Sequence, residues 1–171
     1  RQRPIYNVLG SLMVTESTLR LITDGACRGN PGPGAWGAWL RQGEHERVLW
    51  GYAPQTTNNR MELDAVVQGL QALKRPSRIL VRSDSQYLIK GMTEWLAGWQ
   101  KRGWRSAGGA AVKNQELWQA LASLAQAHQI RWEWVRGHAG DVENEAVDAL
   151  INRVLDRFAG AIQEASGEGW L

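Results

Sequence analysis

With 171 residues, 43% of them hydrophobic, the chain is long enough to bury one sizeable core and too apolar to be disordered. A formal net charge of +3 excludes a histone-like polycation but allows a local basic patch that could meet nucleic acid. Cys27 is the single cysteine, so no intrachain disulfide can form and a reducing, cytoplasmic setting is expected; no apolar run approaches the roughly 18 residues of a membrane helix.

Residues 1–18 show no strong periodicity and are expected to be a flexible leader or an expression remnant, with Met13 as an alternative start. Leu19, Leu21 and Ile22 then lead as a strand into Asp24. Asn30-Pro31-Gly32-Pro33-Gly34 is a turn, and Ala35–Arg41 and Glu46–Ala53 read as two further strands of a meander. Met61, Leu63, Ala65, Val66, Leu70 and Leu73 recur at helical spacing, so a helix is predicted from about Asn58 to Lys74, ended by Pro76. Arg78–Arg82 is a short buried strand. Two short helices follow at about 85–90 and 94–101, another at about Asn114–Ala127, a strand at Ile130–Val135 and a last helix at about Asp141–Phe158. The tail after Ala159 is expected to fray. A meander followed by β-α-β units implies one α/β domain, residues 19–158, built on a mixed five-stranded sheet flanked by helices.

Four acidic residues sit in contexts that resemble active-site corners: Asp24 in TDGACRGNPGPG, Glu62 in TTNNRMEL, Asp84 in SDSQY and Asp148 in GHAGDVENEAVDAL. Asp24 and Asp84 are expected just past strand ends, where ligands collect in open α/β sheets. Glu62 falls in the first turns of one helix and Asp148 two turns into another. Converging carboxylates repel one another, so a fold that gathers four needs a positive partner. A hard divalent cation with oxygen ligands supplies it, which points to a magnesium-dependent enzyme acting on phosphates. Any one of these acids alone could instead be a helix cap or a turn residue.

These motifs, together with WQKRGWRS, resemble bacterial type 1 ribonuclease H over about residues 18–155, in order and with the family spacing. The resemblance implies the ribonuclease H-like fold and an endonuclease that hydrolyses the RNA strand of RNA–DNA hybrids with two Mg2+ ions, or Mn2+ in their place, leaving 5′-phosphate and 3′-hydroxyl ends. It implies that Asp24 bridges both metals, that Glu62 and Asp84 hold the one nearer the leaving group, and that Asp148 completes the nucleophile side. His138, in Gly137-His138-Ala139-Gly140, takes the family's flexible-loop position for proton transfer or product release; a lone loop histidine is otherwise merely exposed. Cys27, Gly29, Asn30, Asn58, Asn59 and Gln86 match positions that face the hybrid, although the glycines and asparagines would pass equally as turn residues. Thr57 and Asn114 match a pocket for a DNA-strand phosphate, and Thr57 would serve equally as an N-cap.

Trp95, Trp99 and Trp104 interleave with Lys101, Arg102 and Arg105, as in the family's basic protrusion along the DNA strand. Trp95 and Trp99 stand four residues apart, so both could face the core; a split is expected, with at least one indole buried and one exposed. The chain departs from the family at Asp141, where many relatives carry a second histidine, and at Ala146, Gln55 and Gly108-Gly109-Ala110-Ala111, where basic residues are frequent. These changes predict weaker, more salt-sensitive hybrid binding. A binding module without catalysis would need a broken carboxylate set, and a DNA-cutting relative would need no 2′-hydroxyl selection. The intact acids and the match at Asn30, Asn58 and Gln86 speak against both, and a monomer is expected.

Overall fold

The structure, a computed structural model, describes residues 18–171; apart from Thr18, the expected leader lies outside them. Its strands are β1 (Leu19–Cys27), β2 (Gly32–Gln42), β3 (His45–Thr56), β4 (Arg78–Ser83), β5 (Gln129–Trp134) and β6 (Ala165–Glu168). They form one sheet in the order β5-β4-β1-β2-β3-β6. The β1–β2, β2–β3 and β3–β6 pairs are antiparallel, whereas β4 runs parallel to both β1 and β5. The helices are α1 (Asn58–Gln71), α2 (Gln86–Lys90), α3 (Leu96–Lys101), α4 (Gln115–Gln126) and α5 (Val142–Arg157).

Alternation along the strands assigns the two faces of the sheet. Leu21, Trp36, Ala38 and Leu40 pack with Leu63, Val66 and Leu70 of α1 and with Trp118 and Leu121 of α4. On the other face Ala35, Val48, Trp50 and Tyr52 pack against Leu150, Ile151 and Val154 of α5. β4 is a near-continuous apolar run because it is covered on both faces. No helix among the described residues is long and apolar enough to cross a membrane.

The structure corrects three expectations. The sheet has six strands, because the tail does not fray: Ala165–Glu168 pairs with Leu49–Tyr52. Tyr52 Oη donates to the Ala161 carbonyl at 3.0 Å, and Trp170 meets Trp39 edge-on at 4.9 Å. The two short helices merge, as Gly91–Trp95 continues from α2 into α3 as one π-helical turn. A Cβ on Gly91 would lie 1.9 Å from Trp118, so this glycine makes room for a neighbouring indole and does not break the helix. Asp24 lies within β1, not beyond its end, since the strand runs on to Cys27.

Candidate active site

Two glycines, Gly25 on β1 and Gly37 on β2, bring helices from opposite faces onto the same part of the β1–β2 pair. A Cβ on Gly25 would sit 2.4 Å from the Met61 carbonyl carbon, so α1 rests directly on the backbone beside Asp24. Gly37, the cross-strand partner of Asp24, opens the other face, where an added Cβ would be 3.0 Å from Val147 of α5. Glu62 follows Met61 and Asp148 follows Val147, so both close approaches deliver a carboxylate. Asp84 arrives from the first residue past β4, the strand parallel to β1.

The sequence does not allow these acids to relax. Asp24 is only 6% exposed, and one oxygen accepts the Gly25 N–H at 2.9 Å. Burial, then the charges of Asp84 and Asp148, hold its carboxyl well above the usual range. Burial also pushes Glu62 up to about 6, against a hydrogen bond donated by Ser85 Oγ at 2.5 Å. Asp84 is raised by burial and by Asp148, with Asn144 and His138 pulling the other way. Asp24 feels all three other acids, Glu62 feels Asp84, and Asp84 feels Asp148. Among the described residues no three such side chains close into a ready-made ion cage. An all-oxygen, mutually repelling set suits a hydrated hard cation, since magnesium keeps several waters and takes few protein ligands. The donor set therefore fits the magnesium that the resemblance implies.

His138 lies on the rim, exposed, with left-handed backbone (φ 55) between β5 and α5. Asp141 caps α5 by accepting the Asn144 N–H at 2.9 Å. Its carboxyl is held below the usual range, chiefly by a hydrogen bond from Arg82, so it does not add to the site's unpaired charge.

The expected substrate-facing residues form two groups. Cys27 N–H donates to Asn58 Oδ1 at 2.7 Å and Asn58 N–H to Asn30 Oδ1 at 3.2 Å, tying β1, the turn and the start of α1 together. Gly29, with φ 82, shapes that turn. Asn59 and Gln86 are exposed nearby in sequence, at the first turns of α1 and α2. Thr57 is indeed the N-cap of α1, accepting the Arg60 N–H at 3.2 Å. Arg60 Nη1 reaches Asn114 Oδ1 at 3.1 Å, so Thr57 and Asn114 are joined through a cation that sequence reasoning passed over. A cavity of about 450 Å³ opens beside this cation, lined also by Gln55, Asp64, Gln68 and Glu164.

The protrusion differs in detail. Trp95 is exposed, but Trp99 is half-buried and not core; it meets Trp118 edge-on at 5.1 Å. Trp104 is half-buried too, with φ 65. Arg102 Nε donates to the Arg105 carbonyl at 3.1 Å and Arg105 Nη1 to the Gly109 carbonyl at 3.0 Å. Arg105 therefore braces the Gly/Ala loop and Arg102 braces Arg105, both staying exposed, and Lys101 is exposed beside them. Ser85, Asn144 and Trp134, whose Nε1–H donates to the Asp84 carbonyl at 3.0 Å, were also missed. Ser85 and Asn144 lay inside recognised motifs, SDSQY and GHAGDVENEAVDAL, and Trp134 did not.

A meander joined to parallel strands, with acids gathered where β1 and β4 lie side by side, defines the ribonuclease H-like α/β class. The RNase H family description matches residues 16–156, and the chain belongs to the ribonuclease H family. It is 64% identical over 156 residues to the Ribonuclease H of Acidithiobacillus ferrooxidans, covering 91% of this chain and 99% of that protein. Identity to the Ribonuclease H of Bordetella pertussis is 59% over 138 residues, or 81% and 89% of the two chains. The crystal structure of LC9-RNase H1, a type 1 RNase H with the type 2 active-site motif, matches with TM-score 0.73 at 32% identity, covering 93% of this chain and 80% of that one. LC11-RNase H1, solved in complex with an RNA/DNA hybrid, shares the fold at 20% identity and TM-score 0.60, over 82% and 98% of the chains.

Proposed function

We propose that this chain cuts the RNA strand of RNA–DNA hybrids endonucleolytically, with Asp24, Glu62, Asp84 and Asp148 holding two divalent ions, Mg2+ or Mn2+. As a ribonuclease H it is a metal-dependent hydrolase. The observation that carries the residue assignment is the convergence of four acids from β1, α1, β4 and α5, three of them raised in pKa by burial and by one another. Bound ions supply an activated water and charge neutralisation at the leaving 3′ oxygen.

The protein's own groups do the rest. Asp24, the most buried acid, is the central ligand; Glu62 is held in place by Ser85, and the Asp84 main chain by the Trp134 indole. His138, exposed on its loop, carries a proton or helps the product leave. Cys27, Asn30 and Asn58, already bonded to one another, face the hybrid with Gly29, Asn59 and Gln86 and select the strand bearing 2′-hydroxyls. Thr57, Asn114 and the intervening Arg60 grip a phosphate of the DNA strand. Trp95, Lys101, Arg102, Arg105 and the partly exposed faces of Trp99 and Trp104 track that strand further out. The enzyme acts as a cytoplasmic monomer and leaves 5′-phosphate and 3′-hydroxyl ends.

One labelled sequence presented as hybrid, RNA duplex, DNA duplex and single-stranded RNA, each with Mg2+, Mn2+ or EDTA, tests the reading. Metal-dependent cutting of the hybrid's RNA strand alone is expected. Binding without cutting in either metal would replace the enzyme with a binding module.

A further inference from the structure

Beside the acids lies a second charged cluster that takes no part in holding a cation. Arg82, two residues before Asp84, has a side chain only 13% exposed and spends all three guanidinium nitrogens on carboxylates. Nη2 meets Asp141 Oδ2 at 2.6 Å and Nη1 meets Oδ1 at 3.2 Å, a two-point pair. Nη1 also meets Glu143 Oε1 at 2.7 Å, and Nε meets Glu133 Oε2 at 2.9 Å. Glu143 is further gripped by Arg20 at 2.5 Å and by Arg41 at 2.8 Å. β1, β2, β4, β5 and the start of α5 are thereby tied at one point.

The location of the tie gives it a consequence. Asp141 closes the loop that carries His138, and it opens the helix that carries Asp148. At its other end the loop is fixed by Val135 N–H on the Ser83 carbonyl at 2.9 Å. Gly137 lies so near Asp84 that an added Cβ would be 2.8 Å from Oδ2. Gly140 N–H donates to Glu145 at 3.1 Å. His138 and Gly140 both adopt positive φ, a backbone that needs outside support when the residue is not glycine. The Asn144 amide, buried and without a close hydrogen-bond partner, leans toward Asp84. Arg82 is thus the link between the strand that presents Asp84 and the loop that presents His138. A two-point guanidinium–carboxylate pair fixes orientation as well as distance.

We propose that Arg82 and Asp141 form a latch that positions the His138 loop for turnover. Neither residue touches the substrate or the cation; both act through the loop. The inference rests on the reading that His138 assists the reaction. It also gives the Asp141 departure a purpose: the acid that replaces a second histidine keeps the remaining one in place.

Asp141→Asn separates the latch from the cap, because asparagine caps a helix as well as aspartate does but cannot form the charged pair. Arg82→Lys keeps the charge and loses the fork, and is expected to act in the same direction with smaller effect. Hydrogen exchange of the 137–140 amides, measured on the protein without substrate, reads the latch directly and should accelerate in both variants. In cleavage, Asp141→Asn should lower kcat about 3- to 30-fold with KM little changed, below the roughly hundredfold that a 1 Å misplacement can cost. In a His138→Ala background the same substitution should have no further effect on kcat. Unchanged exchange in both variants would overturn the latch. Faster exchange with an equal loss of kcat in both backgrounds would overturn its link to His138. If His138→Ala alone leaves kcat unaltered, the histidine reading fails and takes the catalytic part with it, while exchange still decides whether the loop is latched.

Discussion

Replacing Glu62 by glutamine should make the metal-free protein more stable and inactive together. Glu62 rises from its ordinary 4.5 to about 6, mainly through burial and then through Asp84. At about 1.4 kcal/mol per pH unit, that rise corresponds to about 2 kcal/mol. The folded pKa exceeds the unfolded one, so the native state loses this amount as pH climbs from 4.5 past 6 and recovers it on acidification. Glutamine resembles the neutral acid and keeps a carbonyl oxygen to accept from Ser85 Oγ. In EDTA at pH 8, Glu62→Gln should therefore melt about 4–8 °C above the parent, using the usual relation for a domain of this size. Near pH 4 the gap should close. Magnesium should raise the parent's melting point and much less that of the variant, because a ligand stabilises only the form that binds it. Thermal denaturation at both pH values, with EDTA and with Mg2+, measures all of this. A variant no more stable than the parent at pH 8, or a gap that widens with acid, would refute the account of a site strained by its own charge.

Asp24→Asn should abolish metal-dependent cleavage, by more than about a thousandfold since several kcal/mol of transition-state stabilisation are lost, while circular dichroism and hybrid binding stay intact. Gly25→Ala should cost about 1–3 kcal/mol in urea unfolding, because its Cβ would meet the Met61 backbone and no rotamer can relieve it. Its cleavage should fall as well, since Glu62 moves with α1. Ending the chain at Ala159 should lower the melting temperature by about 4–8 °C, roughly 2 kcal/mol, yet leave cleavage at room temperature unchanged.

What the sequence made legible is local in origin. Strand alternation, the helical recurrence from Met61 to Leu70 and the four acidic motifs announce themselves within a few residues. β6 does not, because Ala-Ser-Gly-Glu has no apolar alternation; its place is set by register with β3 and by Gly167, which fits over the Trp50 ring. The π-helical turn was hidden because what fills the space at Gly91 is Trp118, from a distant helix. The acids were found and their wiring was not. Arg60 to Asn114 spans 54 residues and Arg82 to Asp141 spans 59, and no periodicity connects positions so far apart. The expected split among the indoles held at exposed Trp95 and stopped short of a fully buried partner, for a related reason. A spacing of four places Trp95 and Trp99 on one side of a helix, but Trp118 and Tyr87 decide how much of each is covered.

The short C-terminal strand also governs how copies of the protein meet. A sheet ends in two rows of unpaired backbone groups, which invite edge-to-edge aggregation unless blunted. β6 takes up the row along β3 and replaces it with a border of only four residues bearing Glu168, itself paired to Arg47. At the opposite border, β5 exposes Gln129 and Arg131 to solvent. Both borders are short, four residues at β6 and six at β5, and although β5 also exposes Trp134, each carries charged side chains of the kind that discourage one sheet from extending the next.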